Sequence, residues 1–215
     1  MPMVPPAPVL AVSAATMAVV AVVTAFALLG LWIMAAFNGL VSRRARVLGA
    51  FAQIDVQLRR RHDLVPGLVA TVKGYMAHER ATLESVTAAR SAAVHAQARA
   101  GAAPGDAAAT AALAGAEGAL QAALARLMAV MESYPQLKAD ASALQLQEEL
   151  VSTENRIGFA RQAYNDAVVS YNTRIAVFPD FIVARLFSFA PAALFEADDG
   201  ARAVPAVDLG PDARS

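Results

Sequence analysis

Residues able to carry chemistry are sparse in this 215-residue chain, and their spacing does not suit catalysis. The candidate imidazole ligands are His62, His78 and His95, sixteen and seventeen residues apart. Those spacings place them on neither adjacent turns nor one short helical face. A carboxylate-bridged di-metal bundle needs Glu-x-x-His on two helices, and a zinc hydrolase helix needs His-Glu-x-x-His. Neither pattern occurs. There is no cysteine, which excludes disulfides, thiol catalysis and thiolate-bound zinc. No nucleophile–base motif and no glycine-rich phosphate loop is present. The expectation is a non-enzymatic chain without metal or cofactor.

Other polar groups stand out by where they fall. Leu150, Ile157, Tyr164 and Val168 recur at helical spacing, and Glu154 and Arg161 fall on the same stripe, with Asn165 beside it. A charge on a buried stripe must be paired, so a register-setting polar layer is the first reading and a ligand pocket the second. Arg59, Arg60 and Arg61 form a possible interaction face, but consecutive helical residues fan over about 200° and cannot all meet one partner. Pairing with Asp55 and Asp63 on a solvated helix is the simpler expectation. Net charge is zero, and the four tyrosines lie in no basic groove, so nucleic acid is not an expected partner.

These groups are held by helices. Residues 1–42 contain no Asp, Glu, Lys or Arg, and residues 9–37 are almost continuously apolar. About 20 apolar residues suffice to cross a bilayer, so this run predicts a transmembrane helix after a short flank at 1–8. Its length and uncharged start disfavour a cleaved signal peptide. Arg43, Arg44 and Arg46 follow at once. By the positive-inside rule they place the N-terminus outside and the rest in the cytoplasm, and they suit anionic headgroups.

Beyond the span the pattern predicts an all-α, up-and-down bundle over 38–197, built of three long helices and a short one. The first runs from about residue 40 to the high nineties on Ile54, Leu58, Val65, Leu68, Val72, Tyr75, Leu83 and Val86, with a kink at Pro66, which removes a hydrogen bond to the carbonyl of His62. Pro104-Gly105 breaks the chain, and Asp106 is a suitable N-cap for the second helix. Tyr134-Pro135 ends that helix. The third runs over about 142–177, and a short amphipathic helix begins at Pro179. Residues 198–215 lack apolar periodicity and predict a disordered tail.

Several stretches resemble the bacterial LemA family. They are Gln53-Ile54-Asp55-Val56-Gln57-Leu58-Arg59-Arg60-Arg61-His62-Asp63-Leu64-Val65-Pro66, Val72-Lys73-Gly74-Tyr75, Leu146-Gln147-Glu148-Glu149-Leu150, Thr153-Glu154-Asn155-Arg156-Ile157, Tyr164-Asn165-Asp166-Ala167-Val168, Tyr171-Asn172 and Phe195-Glu196-Ala197. The resemblance implies a helical bundle behind an N-terminal anchor and carries over no catalytic residues. One branch of the family is associated with magnetosome membrane formation, which implies a membrane-organising role by analogy. The expected partners are the lipid bilayer, anionic lipids, and other membrane or cytoplasmic proteins. The alternative is a ligand-responsive sensor using the polar layer.

Overall fold

A computed structural model of the chain describes residues 14–76 and 78–195. The flank at 1–8, the first residues of the expected span and the expected tail at 198–215 lie outside the described residues. Those described form an all-helical structure: α1 (Ala14–Lys73), α2 (Arg80–Ala102), α3 (Ala107–Met131), α4 (Pro135–Ala139), α5 (Ala141–Ala176) and α6 (Asp180–Leu186).

The apolar run and the first bundle helix are one element. Helix α1 has 60 residues, which at 1.5 Å per residue is about 90 Å. Its first half exposes Met17, Val20, Val23, Phe26, Leu28 and Leu31, apolar on every side. A helix of that kind lacks a polar face to give to water, and this one is long and apolar enough to cross a membrane. Helix α3 meets the same length and composition test, but Leu113, Leu120, Leu124, Leu127 and Met131 are buried in the bundle.

The helix expected from about 40 to the high nineties is divided. α1 continues through Pro66 to Lys73, and a turn begins at Gly74 and Tyr75 before α2 starts at Arg80. There the N–H groups of Tyr75 and Met76 both donate to the Val72 carbonyl at 3.0 Å. Gly74, a poor helix former, stands at the break. Apolar spacing carries on across it, which is why periodicity alone reads one helix. Tyr75 is consequently exposed in the turn, and Met76 takes the buried position. The bundle therefore has four long members: the second half of α1, then α2, α3 and α5. α1 packs chiefly on α5, α2 chiefly on α3, and α1 also on α2.

Local signals start the later helices. Asp106 accepts from the Ala109 N–H at 2.8 Å, and Asp140 accepts from Ser142 and Ala143 at 2.9 and 3.1 Å. Asp140 also accepts from the Tyr75 hydroxyl at 3.2 Å, joining the α1–α2 turn to the start of α5. Pro135 occupies the first turn of α4. Helix α6 is closed by Ser188, two residues past its end, whose φ is 56°, and the next N–H, of Phe189, donates back to Ala184 at 2.9 Å in a Schellman-type turn.

The core is in layers. One cluster gathers Val65, Leu68, Val72, Val86, Leu120, Leu127 and Leu150. A second gathers Phe51, Ile54, Leu58, Leu113, Ile157, Tyr164 and Val168. A third, at the end nearest the apolar half of α1, sets Val183 and Ala184 of α6 on Ala36 and Leu40.

Candidate functional site

The boundary between the first two clusters is polar. Along α1 it falls between Leu58 and Val65, at Arg61 and His62. Along α3 it falls between Leu113 and Leu120, at Glu117. Along α5 it falls between Leu150 and Ile157, at Glu154. Arg61 is only 3% exposed, His62 2% and Glu117 5%. The Arg61 guanidinium donates to Glu117 through one terminal nitrogen and to Glu154 through the other. His62 Nε2 donates to the second Glu117 oxygen at 2.7 Å. Burial pushes the Glu117 carboxyl up, but the His62 hydrogen bond, together with the charge of Arg61, outweighs it and holds the group below its ordinary value.

Neighbouring residues of α1 tie the same level to the other helices. Gln97 Nε2 of α2 donates to the Asp55 carbonyl and carboxylate at 2.9 and 2.8 Å. Arg90 Nε donates to the His62 carbonyl at 2.6 Å. Arg60 reaches Glu149 of α5 at 3.5 Å, while Arg59 pairs with Asp55 one turn earlier at 2.6 Å.

The three arginines thus do not make one interaction face. Arg59 and Arg60 are exposed, but Arg61 is turned inward, three residues after Leu58 and four before Val65 on the buried stripe. That correction was available from spacing, by the reasoning that singled out Glu154 and Arg161. Glu117 lies four residues after Leu113 and three before Leu120, and the same rule would have found it.

Of the polar-layer residues expected on α5, Glu154 joins the network, whereas Arg161 and Asn165 do other work. The Arg161 guanidinium lies over the Phe195 ring, 4.7 Å from its centroid. Burial pulls its pKa below the ordinary value, and Glu154 opposes that shift. Arg61, Glu117, Glu154, Arg161, Ile157 and Phe195 line a cavity of about 210 Å³. Arg61 Nε, buried at this level, has no hydrogen-bond partner.

Asn165 holds the extended C-terminal segment. Its Nδ2 donates to the Phe195 carbonyl at 3.2 Å, and its Oδ1 accepts from the Phe195 N–H at 2.8 Å. One heptad on, Asn172 does the same to Ala192 at 2.8 and 2.9 Å. Tyr164 and Tyr171, also seven apart, donate to the carbonyls of Ala193 and Ala190 at 2.8 and 3.0 Å. Two side-chain amides here imitate a pairing strand, which satisfies backbone groups that have no helix of their own.

At the opposite edge of the second cluster, Arg44 and Arg46 are exposed, while Arg43 donates to Ser170 Oγ at 2.9 Å. His78 and His95 are exposed and far in sequence from the buried His62. Among the described residues no cluster of His, Asp and Glu is disposed to hold a metal ion.

A family model described as the LemA family matches residues 50–209. Two relatives from Paramagnetospirillum magneticum, magnetosome protein MamQ 1 and magnetosome protein MamQ 2, are each 35% identical over 71 residues, or 33% of this chain and 26% of theirs. The chain therefore matches about a quarter of the length of these relatives. The chain belongs to the LemA family.

Proposed function

We propose that this LemA-family chain is a non-enzymatic, single-span protein of the bacterial inner membrane, with its N-terminus outside and its bundle in the cytoplasm. There it docks other proteins or organises the membrane. The observation that carries this reading is the continuity of α1, which leaves no flexible joint between the apolar half and the bundle half. A bundle so held stands at a set height and angle from the bilayer, which suits a scaffold. Arg43, Arg44 and Arg46 support the orientation. Similarity to proteins named for the magnetosome supports a membrane role by analogy. The test is a reporter fused at the C-terminus, joined to crosslinking of the full chain in native membranes. Reporter activity confined to the cytoplasm and a defined crosslinked protein are expected. Activity confined to the outside overturns the orientation. Recovery of a shortened chain in the soluble fraction overturns the anchor.

The cavity beside Arg61, Glu154 and Arg161 favours a second reading, a ligand-responsive bundle. A small acidic or amphoteric molecule that co-purifies with the wild type and is lost from Arg161→Met, with folding unchanged, supports it. Equal binding by both proteins excludes this cavity as the site.

A further inference from the structure

The apolar surface of this protein does not end with α1. Helix α6 uses Val183 and Ala184 to pack on Ala36 and Leu40, with Trp32, Ile33 and Phe37 partly buried around them. The Phe37 ring meets Phe187 edge-on at 4.9 Å and Phe189 at 5.7 Å. Much of the apolar surface at this corner is nevertheless uncovered. Phe178 is 77% exposed and Leu186 69%, and Val177, Ile182 and Phe187 are exposed with them. Five large apolar side chains are thus exposed on α6 and its flanks, the element that packs on the last turns of the apolar half of α1, where Leu31 and Met34 are exposed too.

The charges nearby are arranged for the same surroundings. Asp180, the acid of α6, is buried and ion-paired with Arg174. The remaining charge of α6 is Arg185, and Arg43, Arg44 and Arg46 follow the apolar run within three turns. A short helix with an apolar outer face, a neutralised acid and flanking arginines has the composition of an element lying in the headgroup region.

We infer that α6 and its flanks, residues 177–187, form a second membrane contact, which inserts Phe178, Ile182, Leu186 and Phe187 into the boundary between headgroups and acyl chains of the bilayer that α1 spans. This inference rests on the reading of α1 as a membrane span. One helix fixes position along the membrane normal but leaves rotation about its own axis free. A second contact, offset from that axis, removes the rotation and sets which side of the bundle faces the lipid.

The absence of native cysteine allows single-site labelling of the full chain. Phe178→Cys, Leu186→Cys, Phe26→Cys and Phe159→Cys are labelled with an environment-sensitive fluorophore and reconstituted in phosphatidylcholine–phosphatidylglycerol vesicles. Phe159 is also highly exposed, but it lies on the body of α5 and is the aqueous reference. The expected result is loss of iodide quenching at positions 178 and 186, and quenching there by brominated lipid, with the reverse at 159. Labels at 178 and 186 that iodide quenches as readily as at 159 overturn the inference, and so do labels shielded from both quenchers, which means that protein covers the face. Position 26 separates the two readings. Lipid quenching at 26 with aqueous quenching at 178 and 186 defeats the second contact alone. Aqueous quenching at 26 defeats the span and the contact together.

Discussion

Arg90 of α2 donates its Nε hydrogen to the carbonyl of His62 on α1 at 2.6 Å. That carbonyl is the one Pro66 leaves without its helical partner, because proline has no N–H to give to the residue four earlier. The defect inside α1 is thus the acceptor that binds α2. Pro66 itself is exposed, so its effect lies in the backbone rather than in packing.

Loss of Arg90 is therefore conditional on Pro66. Arg90→Met in the native background is expected to cost about 1–2 kcal/mol, as befits a charged donor in a half-buried hydrogen bond. With Pro66→Ala the helix supplies its own donor, and the cost of Arg90→Met falls by about 1 kcal/mol. Denaturant melts of the four proteins in detergent measure this, and equal costs in both backgrounds would refute the coupling.

The Arg61–Glu117–Glu154 network is sensitive to removal of one partner and tolerant of removal of all. Glu117→Ala leaves Arg61 with Glu154 alone and His62 without its acceptor, and is expected to cost about 3–5 kcal/mol. Joint replacement by Arg61→Met, Glu117→Leu and Glu154→Met is expected to stay within about 2 kcal/mol of the wild type. A triple variant as unstable as the single one would show that packing, not charge, sets the penalty.

Acid should act through Glu117. Its folded pKa is depressed, so it contributes stability that is fully present above its unfolded value, near 4.5, and is lost as pH falls through the lower folded value. Glu117→Gln should be less stable than the wild type at pH 7. It should also lose less stability on acidification, so that the two proteins converge at low pH. Asp140 is held low by the backbone N–H of Ala143 and shares this direction, so the comparison is made in an Asp140→Asn background.

The C-terminal segment should come loose in steps. Asn172→Ala removes two hydrogen bonds to Ala192, and Asn165→Ala removes two to Phe195. Each is expected to cost about 1–3 kcal/mol and to raise amide exchange at residues 190–195 first. Unchanged exchange there, with loosening elsewhere, would place the asparagines in the core rather than in a latch.

Two left-handed positions should respond differently to substitution. Gly105 has φ +88°, and a Cβ there would lie 3.1 Å from the Cβ of Ala192, so Gly105→Ala should destabilise by about 1–2 kcal/mol. Ser188, at φ 56°, bears a side chain where glycine is preferred, and Ser188→Gly should be neutral or stabilising by up to about 1 kcal/mol. Thermal melts of the two variants measure both.

Much of this protein follows from periodicity and composition. Residues apolar on all sides up to Phe37, the stripes through Leu58 and Ile157, the Asp106 cap and the proline at 135 are local facts, and local energetics is enough to read helices from them, the first of which is long and apolar enough to cross a membrane. The LemA signatures led to the family in the same way. Tertiary structure decided the rest. Whether the helix past Lys73 continues depends on what Met76 and Leu83 can bury against, because Gly74 alone only weakens it. The place of Arg61 on the buried stripe is local, but the carboxylates that make it tolerable there, Glu117 and Glu154, lie 56 and 93 residues away. That Asn165 holds backbone rather than joining the polar layer follows from where residues 190–195 return. A single sequence registers burial as a stripe, but the partner that makes a buried charge tolerable comes from another helix, and only the packed bundle brings the two together.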